Sequence, residues 1–509
     1  MPDQSKSHFE RYLRPILASR FFTVSVLIHI LVITLLGGRV LFNKYVEPPD
    51  FQSSGEGAVS SDSPPAPPQT PEETLPPQPT VAAPPPPSST SNLTALTSVN
   101  TGVSSFSMPL PAMAPPSISK DLSAQAATQS FGHGPAVALP GQMSGRGSGR
   151  EATGQKYGEK APAEQAVIRA LQWLQSQQHS DGTWGSAGFH DAFTGLALLC
   201  FLGHGETPQN SKDFAVVVTN GINAMIDEGK RTENRFGGGT SLTSQQGPYE
   251  HGISTYALAE AYSMTKDERL VPVLTQAVDY IVKGQRSDGG WAYRYDTVPD
   301  VSGSTIKSDT SVSGWQIQAL KAAHLTGIPD MDKTVQPVLD LAMKNMDRVF
   351  NPKDGNFGYR KPGDHGASLT GVGVLAKLFW LGRPDATVRR GIKSIESADL
   401  NYHGLDCNLY SWYYDTQAAF QAQGGAWDWW NHRFQDQLTS CQSADGSWPP
   451  IGPTNPPPKW TGDAGGLSVR VEGDGPLYRT VLCTLMLEVY YRYLPTSKDS
   501  ALGGSVEGL

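Results

Sequence analysis

One phrase returns four times along this chain of 509 residues: HSDGTWG from His179, RSDGGWAY from Arg286, KDGNFGY from Lys353 and ADGSWPP from Ala444. Each copy follows a helix-like run and precedes a more apolar one. A unit returning at a period of tens of residues marks a repeat architecture. The phrase has a structural reason. Asp-Gly is a turn dipeptide whose glycine takes positive φ at no steric cost, and the aromatic two residues further on is placed to fold back onto the preceding helix end. Gln178 and Gln285 precede their turns, where a side-chain amide meets the orphan carbonyls of that helix end.

Around the phrase the chain reads as paired helices. The run AEQAVIRALQWLQSQQ from Ala163 puts Val167, Ile168, Leu171 and Leu174 on one face, an amphipathic helix. The run AFTGLALLCFL from Ala192 is apolar all round, which requires burial on every side. The alternation recurs in DKTVQPVLDLAMKNMDRV from Asp332 and SLTGVGVLAKLFWL from Ser368, and again in WDWWNHRFQDQLTSCQ followed by YRTVLCTLMLEVYY. Six pairs emerge: 163–205, 212–265, 270–327, 331–382, 386–424 and 427–494. The second and fifth carry degraded phrases, RFGGG from Arg235 and GLDCN from Gly404. An open stack would leave one side of the apolar row exposed, whereas a closed ring would not. The expectation is therefore an all-α (α/α)6 toroid over residues 161–495, amphipathic helices outside and apolar helices inside.

The rest of the chain is of another kind. Residues 1–20 form a short polar segment, and FFTVSVLIHILVITLLGG from Phe21 opens an apolar stretch to residue 42. That is long enough to cross a bilayer, which takes ~20 residues. No small-x-small cleavage site follows it closely. Lys6, Arg11, Arg14 and Arg20 precede the stretch, while Arg39 and Lys44 follow it. This bias predicts a single-pass membrane anchor with a cytoplasmic N-terminus and a translocated bulk, periplasmic in a bacterium. Residues 43–160 hold PPAPP, LPPQPT and APPPPSST and then FGHG and GQMSGRGSGR. Such sequence buries too little apolar surface to offset its ordering entropy, so it reads as a disordered linker, its last part flexible or an arm lying on the domain. Residues 496–509 read as a disordered tail. The net charge of -8 and the lack of a basic stripe exclude nucleic-acid binding. Cys200, Cys407, Cys441 and Cys483 are scattered without C-x-x-C spacing, which reads as buried thiols and leaves a disulfide open.

Arg169–Trp184, RALQWLQSQQHSDGTW, resembles the QW motif of squalene and oxidosqualene cyclases at every position. Tyr280–Trp291 and Leu438–Trp448 match it over most of their length, so Gln178, Trp184, Gln285, Trp291 and Trp448 are the structural residues the motif implies. The chain thus resembles the prenyltransferase and squalene oxidase repeat superfamily, of terpenoid-cyclase toroid fold, and its segment LYSWYYDTQAAFQ is similar to that of membrane-anchored bacterial envelope members. The resemblance implies that inner-helix N-termini line a central cavity. It does not carry the reactions over. Where cyclases hold DxDD, this chain reads Ile306-Lys307-Ser308-Asp309, with Ser308 in the proton donor's place, so alkene protonation is not expected. Where prenyltransferases bind zinc through Asp-x-Cys and a later His, Asp406 and Cys407 are adjacent and Tyr478 stands where the His is needed. No metal and no cofactor are expected.

The groups expected at the cavity are His190, Asp191, Glu250, His251, Asp309, His365 and Asp415, with Asp309, His251, Asp191, Asp415 and His365 as candidate catalytic groups. Trp315, Trp412, Tyr414, Tyr478 and Glu250 are candidate ligand contacts for a small molecule or glycan, and Phe193, Tyr256 and Tyr413 share the wall. Acids at helix N-termini are also ordinary caps. A stretch from Gly452 to Gly475, with Trp460, is expected to form a lid. In the apolar stretch Ser25 and His29 stand four apart on one helix face, which resembles the anchor of TonB-type energy transducers and implies docking on a proton-driven motor. Three readings follow: a tethered protein binding a ligand or envelope partner, an enzyme using the same cavity (a diverged isoprenoid cyclase or transferase, or a polysaccharide lyase), and a transducer.

Overall fold

The computed structural model describes residues 139–495 apart from 187–188, 238–246, 296–306, 365–366 and 454–473. The apolar stretch 21–42 with Ser25 and His29, most of the linker, His365, Trp460 and the tail lie outside the described residues. Among the described residues every regular element is helical, and no helix is long and apolar enough to cross a membrane.

A short helix α1 (Arg150–Lys156) precedes twelve longer ones. These are α2 (Ala161–Ser176), α3 (His190–His204), α4 (Ala215–Arg231), α5 (Gly247–Thr265), α6 (Leu270–Gly284), α7 (Thr310–His324), α8 (Met331–Val349), α9 (Thr370–Leu381), α10 (Ala386–Ile395), α11 (Leu409–Ala422), α12 (Gly424–Cys441) and α13 (Gly475–Leu487). A last turn, α14, spans Val489–Arg492. The odd-numbered helices from α3 pack on one another in succession, and α13 returns to α3, so they form a closed inner ring. Each even-numbered helix from α2 to α12 lies against its two inner neighbours as an outer layer, α2 lying against α13 and α3. This is an (α/α)6 double ring, built from the six expected pairs.

Burial follows the layers. In α3 every residue from Asp191 to His204 is buried, and in α9 every residue from Thr370 to Phe379. The outer α2 buries only Val167, Leu171 and Leu174 with Ala163, Ala166 and Ala170. Ile168, expected on that face, is half-buried beside it.

The repeated phrase builds the corner between outer and inner helix. The indoles of Trp184, Trp291 and Trp448 donate to Leu174 O, Ile281 O and Leu438 O at 2.7, 2.7 and 2.9 Å, taking up orphan carbonyls at the outer helix end. The glutamines do something else. Gln178 donates to Gly182 O in its own turn and to Val217 O of the next outer helix, at 3.0 and 2.9 Å. Gln285 repeats this on Gly289 O and Val338 O, and Gln442 on Gly446 O and Ala166 O. Ala166 belongs to the first outer helix, so the same amide that joins neighbours also closes the ring. Glycine is required here: Gly289 has φ 91°, and a Cβ on it would stand 2.3 Å from Leu341 O of the next outer helix.

The described part of the glycine-rich arm, residues 139–160, includes α1, so helical structure begins before residue 161. Its Arg146 enters the end of the ring where the inner helices terminate. There it donates to Glu260 Oε2 at 2.7 Å, to Arg492 O at 2.9 Å and to Leu202 O at 3.3 Å. All four cysteines are free thiols; Cys441 is half-buried rather than buried, with His403 Nε2 at 3.6 Å.

Candidate functional site

All inner helices run the same way, because each is reached through an outer one. Their N-termini therefore gather at one end of the ring, here called the mouth, and their C-termini at the end that Arg146 occupies. Between the two ends the lumen is crossed by side chains. Tyr413 and Tyr414 of α11 reach over to Gln318 of α7, at 3.2 and 3.0 Å. Trp315 stacks on Tyr413 with ring centroids 5.4 Å apart and meets Tyr414 edge-on at 5.7 Å. Arg492 donates to Tyr256 at 3.0 Å from the far side. Three of the wall aromatics named from the sequence, Trp315, Tyr413 and Tyr414, thus pack on one another inside the ring.

At the mouth Asp309 and Glu250 serve helix starts, and Asp191 holds a turn. Asp309 is the N-cap of α7: its Oδ1 accepts from the backbone N–H of Ser311 at 2.9 Å and of Val312 at 3.4 Å, and from the Ser311 hydroxyl at 2.5 Å. Glu250 of α5 accepts from Ala192 N–H at 3.4 Å, so it serves the start of the neighbouring α3. Asp415 reaches the start of α9, where a Cβ on Gly371 would stand 2.3 Å from Asp415 Oδ1. Its other oxygen accepts from Ser411 at 2.9 Å. Asp191 accepts from Gly237 N–H at 2.7 Å. Helix N-termini carry partial positive charge and unsatisfied donors, so a ring of them collects carboxylates.

Capping leaves some groups unspent. Asp309 Oδ2 is buried without a hydrogen bond and faces Arg360 Nε at 3.6 Å. Burial pushes its carboxyl up to about 6, against the lowering by Ser311, Arg360 and the nearby Tyr359 hydroxyl. Arg360 is half exposed and lies over the Tyr359 ring. Tyr359 meets the Tyr293 hydroxyl, Tyr249 meets Ser311, and Tyr410 donates to Ser311 O at 3.0 Å. Asp415 Oδ1 and Trp315 Nε1 are also buried without hydrogen bonds, and burial lifts the Asp415 carboxyl to about 7. Glu250 is pushed well above the usual carboxylate range by burial, then by the charge of Asp191.

The remaining sequence candidates divide. Trp412, Tyr414 and Tyr478 are buried in the inner ring. His251 is not on the lumen wall. It points outward between layers, where Nε2 lies 2.9 Å from Ala277 O of α6 and Phe236, Tyr280 and Tyr295 surround the ring. Its position next to Glu250 in the sequence turns it to another face, since successive helical residues differ by about 100°. Three mouth groups escaped the sequence reading: Tyr293, Tyr359 and Arg360, which lie in the turns and carry no helical periodicity. The phrase copies RSDGGWAY and KDGNFGY do end on the two tyrosines, and that was the available signal.

These features define a closed double ring of helices with a capped, aromatic-rimmed mouth. No protein-family model matches the sequence, and no curated protein matches it. Among solved structures the chain is similar to the GH76A α-1,6-mannanase of Salegentibacter sp., at 13% identity and TM-score 0.45, over 64% of this chain and 98% of that one. It is similar to the type II terpene cyclase MstE from Scytonema, at 13% identity and TM-score 0.40, over 65% and 98%. A protein from Actinoplanes matches at 16% identity and TM-score 0.41, over 64% and 99%. The double ring itself rests on the helix contacts of this chain.

Proposed function

We propose that the chain is a membrane-tethered envelope protein whose helical ring binds a carbohydrate at its mouth. The carrying observation is Asp309: a buried carboxyl, held in place as a helix cap through one oxygen, whose other oxygen accepts no hydrogen bond beside the half-exposed Arg360. The half-exposed Arg360 guanidinium, over the buried Tyr359 ring and beside the Asp309 carboxyl, is a polar group of the kind that orients a hydroxyl-rich ligand. The contacts across the lumen favour binding at the rim over a long hydrocarbon within. The apolar run Phe21–Gly38 supports the tether. The arm joins the ring at the end opposite the mouth, which leaves the mouth facing away from that junction. An enzyme at the same place is the second reading, because a carboxyl held near pH 6 suits a general acid.

The test is a glycan array probed with the detergent-purified full-length chain and with Asp309→Asn. Asparagine still caps α7, so the variant keeps the fold. Binding to envelope-type glycans, weakened at least about tenfold by the substitution, is expected; no binding, or equal binding by both, removes the carbohydrate reading. Turnover of a bound glycan would select the enzyme. Alkaline carbonate extraction of membranes addresses the tether, which fails if the chain appears in the soluble fraction.

A further inference from the structure

Away from Asp309, the first two repeats bring two residues adjacent in the sequence together with a carboxylate from another helix. His190 and Asp191 open α3, and Glu228 lies in the last turn of α4. His190 Nε2 stands 3.1 Å from Asp191 Oδ1 and 3.9 Å from Glu228 Oε1, and one ligand atom from each residue lies within 4.8 Å of the others. Zinc holds nitrogen and carboxylate oxygen at about 2.0–2.2 Å, which places two tetrahedral ligands ~3.4 Å apart. Separations of 3.1 and 3.9 Å bracket that value.

The carboxylates are also oriented from behind. Asp191 Oδ2 accepts from Gly237 N–H at 2.7 Å, which turns Oδ1 toward the imidazole. Glu228 Oε2 accepts from Arg231 Nε at 2.7 Å, which fixes the carboxylate from the solvent side. Arg231 also reaches Oε1 at 2.5 Å, but it is mostly exposed and free to give up that second bond. Partners that hold one oxygen and aim the other are what orient metal ligands in general. Two carboxylates, Asp191 and Glu228, face one exposed guanidinium, that of Arg231. The last turn of α4 brings the negative end of a helix, which offsets the positive end of α3 at His190.

We propose that His190, Asp191 and Glu228 form a binding site for a borderline divalent cation of the Zn2+ class, which pins the first repeat to the second at the mouth of the ring. One imidazole and two carboxylates select such a cation over Mg2+ or Ca2+, which take all-oxygen shells. The ion would bind through the lone pair of His190 Nε2 and one oxygen of each carboxylate, with no covalent bond broken. The inference is independent of the carbohydrate reading.

The test is calorimetric titration of Zn2+ into the detergent-purified full-length chain after treatment with chelator, beside His190→Gln and Glu228→Gln. Both residues are partly exposed, so the substitutions spare the core, and circular dichroism verifies the helix content of each. Expected is one Zn2+ per chain, bound at least about tenfold more weakly by each variant, with Co2+ giving visible absorption bands that both variants lose. Four results overturn the proposal: no saturable binding, binding unchanged in the two variants, equal competition by Ca2+ or Mg2+, and Co2+ bands that persist in His190→Gln. If Glu228→Gln fails to fold, His190→Gln decides alone.

Discussion

His251 is enclosed by Phe236, Tyr280 and Tyr295 and has one polar contact, with Ala277 O. Burial therefore dominates and lowers its pKa to about 4. The sign of the consequence follows from proton counting. Between the unfolded value near 6.5 and the folded value, the unfolded chain holds a proton that the folded chain refuses. Stability from this residue is complete above pH 6.5 and is lost as pH falls toward 4, by about 3 kcal/mol at most. Asp309 works in the opposite sense: its folded pKa is raised to about 6, so its contribution is complete below the unfolded value and is lost as pH rises through 6. Comparing His251→Phe with the parent separates the two. Urea unfolding across pH 4–6.5 should show a flatter acid limb in the variant, and identical slopes would contradict the account. The sequence offered His251 as a cavity group because it sits beside Glu250 at the start of an apolar helix. Which face a residue of an all-buried helix turns to was not legible, since no polar side exists to fix the rotation.

At the scale of elements, the corner phrase was legible in kind and misread in one detail. Six pairs, their boundaries and the two degraded corners follow from periodicity and turn residues alone. The tryptophan does fold back onto its own helix end. The glutamine, expected to bond that same helix end, bridges its turn to the next outer helix instead. A single sequence shows what a side chain is able to bond but not which of two nearby carbonyls it meets. Hydroxyls at the inner helix start were missed for a related reason: Thr194, Ser313, Thr370 and Thr480 each accept the backbone N–H of the corner aromatic, at 2.9–3.4 Å, from ten or more residues away. The corner divides its energy unequally. Trp291→Ala removes a fully buried indole and should cost about 3–5 kcal/mol. Gln285→Ala removes two bonds to carbonyls and should cost about 1–3 kcal/mol. Denaturant unfolding of the two variants checks the order, and a tryptophan loss below that of the glutamine would show that the corner is held mainly by its hydrogen bonds.

For the whole molecule, the closed ring has two different ends, one rimmed by capped N-termini and the other stoppered by the arm. The stopper is an ion pair with both side chains at 0% exposure, Arg146 and Glu260. Removing one member of such a pair leaves a buried charge and costs about 3–5 kcal/mol, whereas replacing both is close to neutral. Arg146→Met is therefore expected to destabilise the ring by about 3 kcal/mol, because Arg492 still lies near Glu260. Adding Glu260→Leu should restore more than half of that. Paired urea curves test it, and a double variant no more stable than the single one would mean that the arm is held by packing alone.

Closure also sets an order of events during synthesis. The first inner helix, α3, packs against α13, whose residues leave the ribosome only after the intervening repeats have been made. An open stack of repeats propagates from any starting point, but here the apolar flank of the first repeat has no permanent cover until the last one arrives. Nascent chains that stop short of α13 carry an exposed apolar face at each end of an unclosed arc, and such faces are what chaperones hold and what aggregation joins. The ring that gives the finished domain no free edge makes its own assembly wait for the final helices.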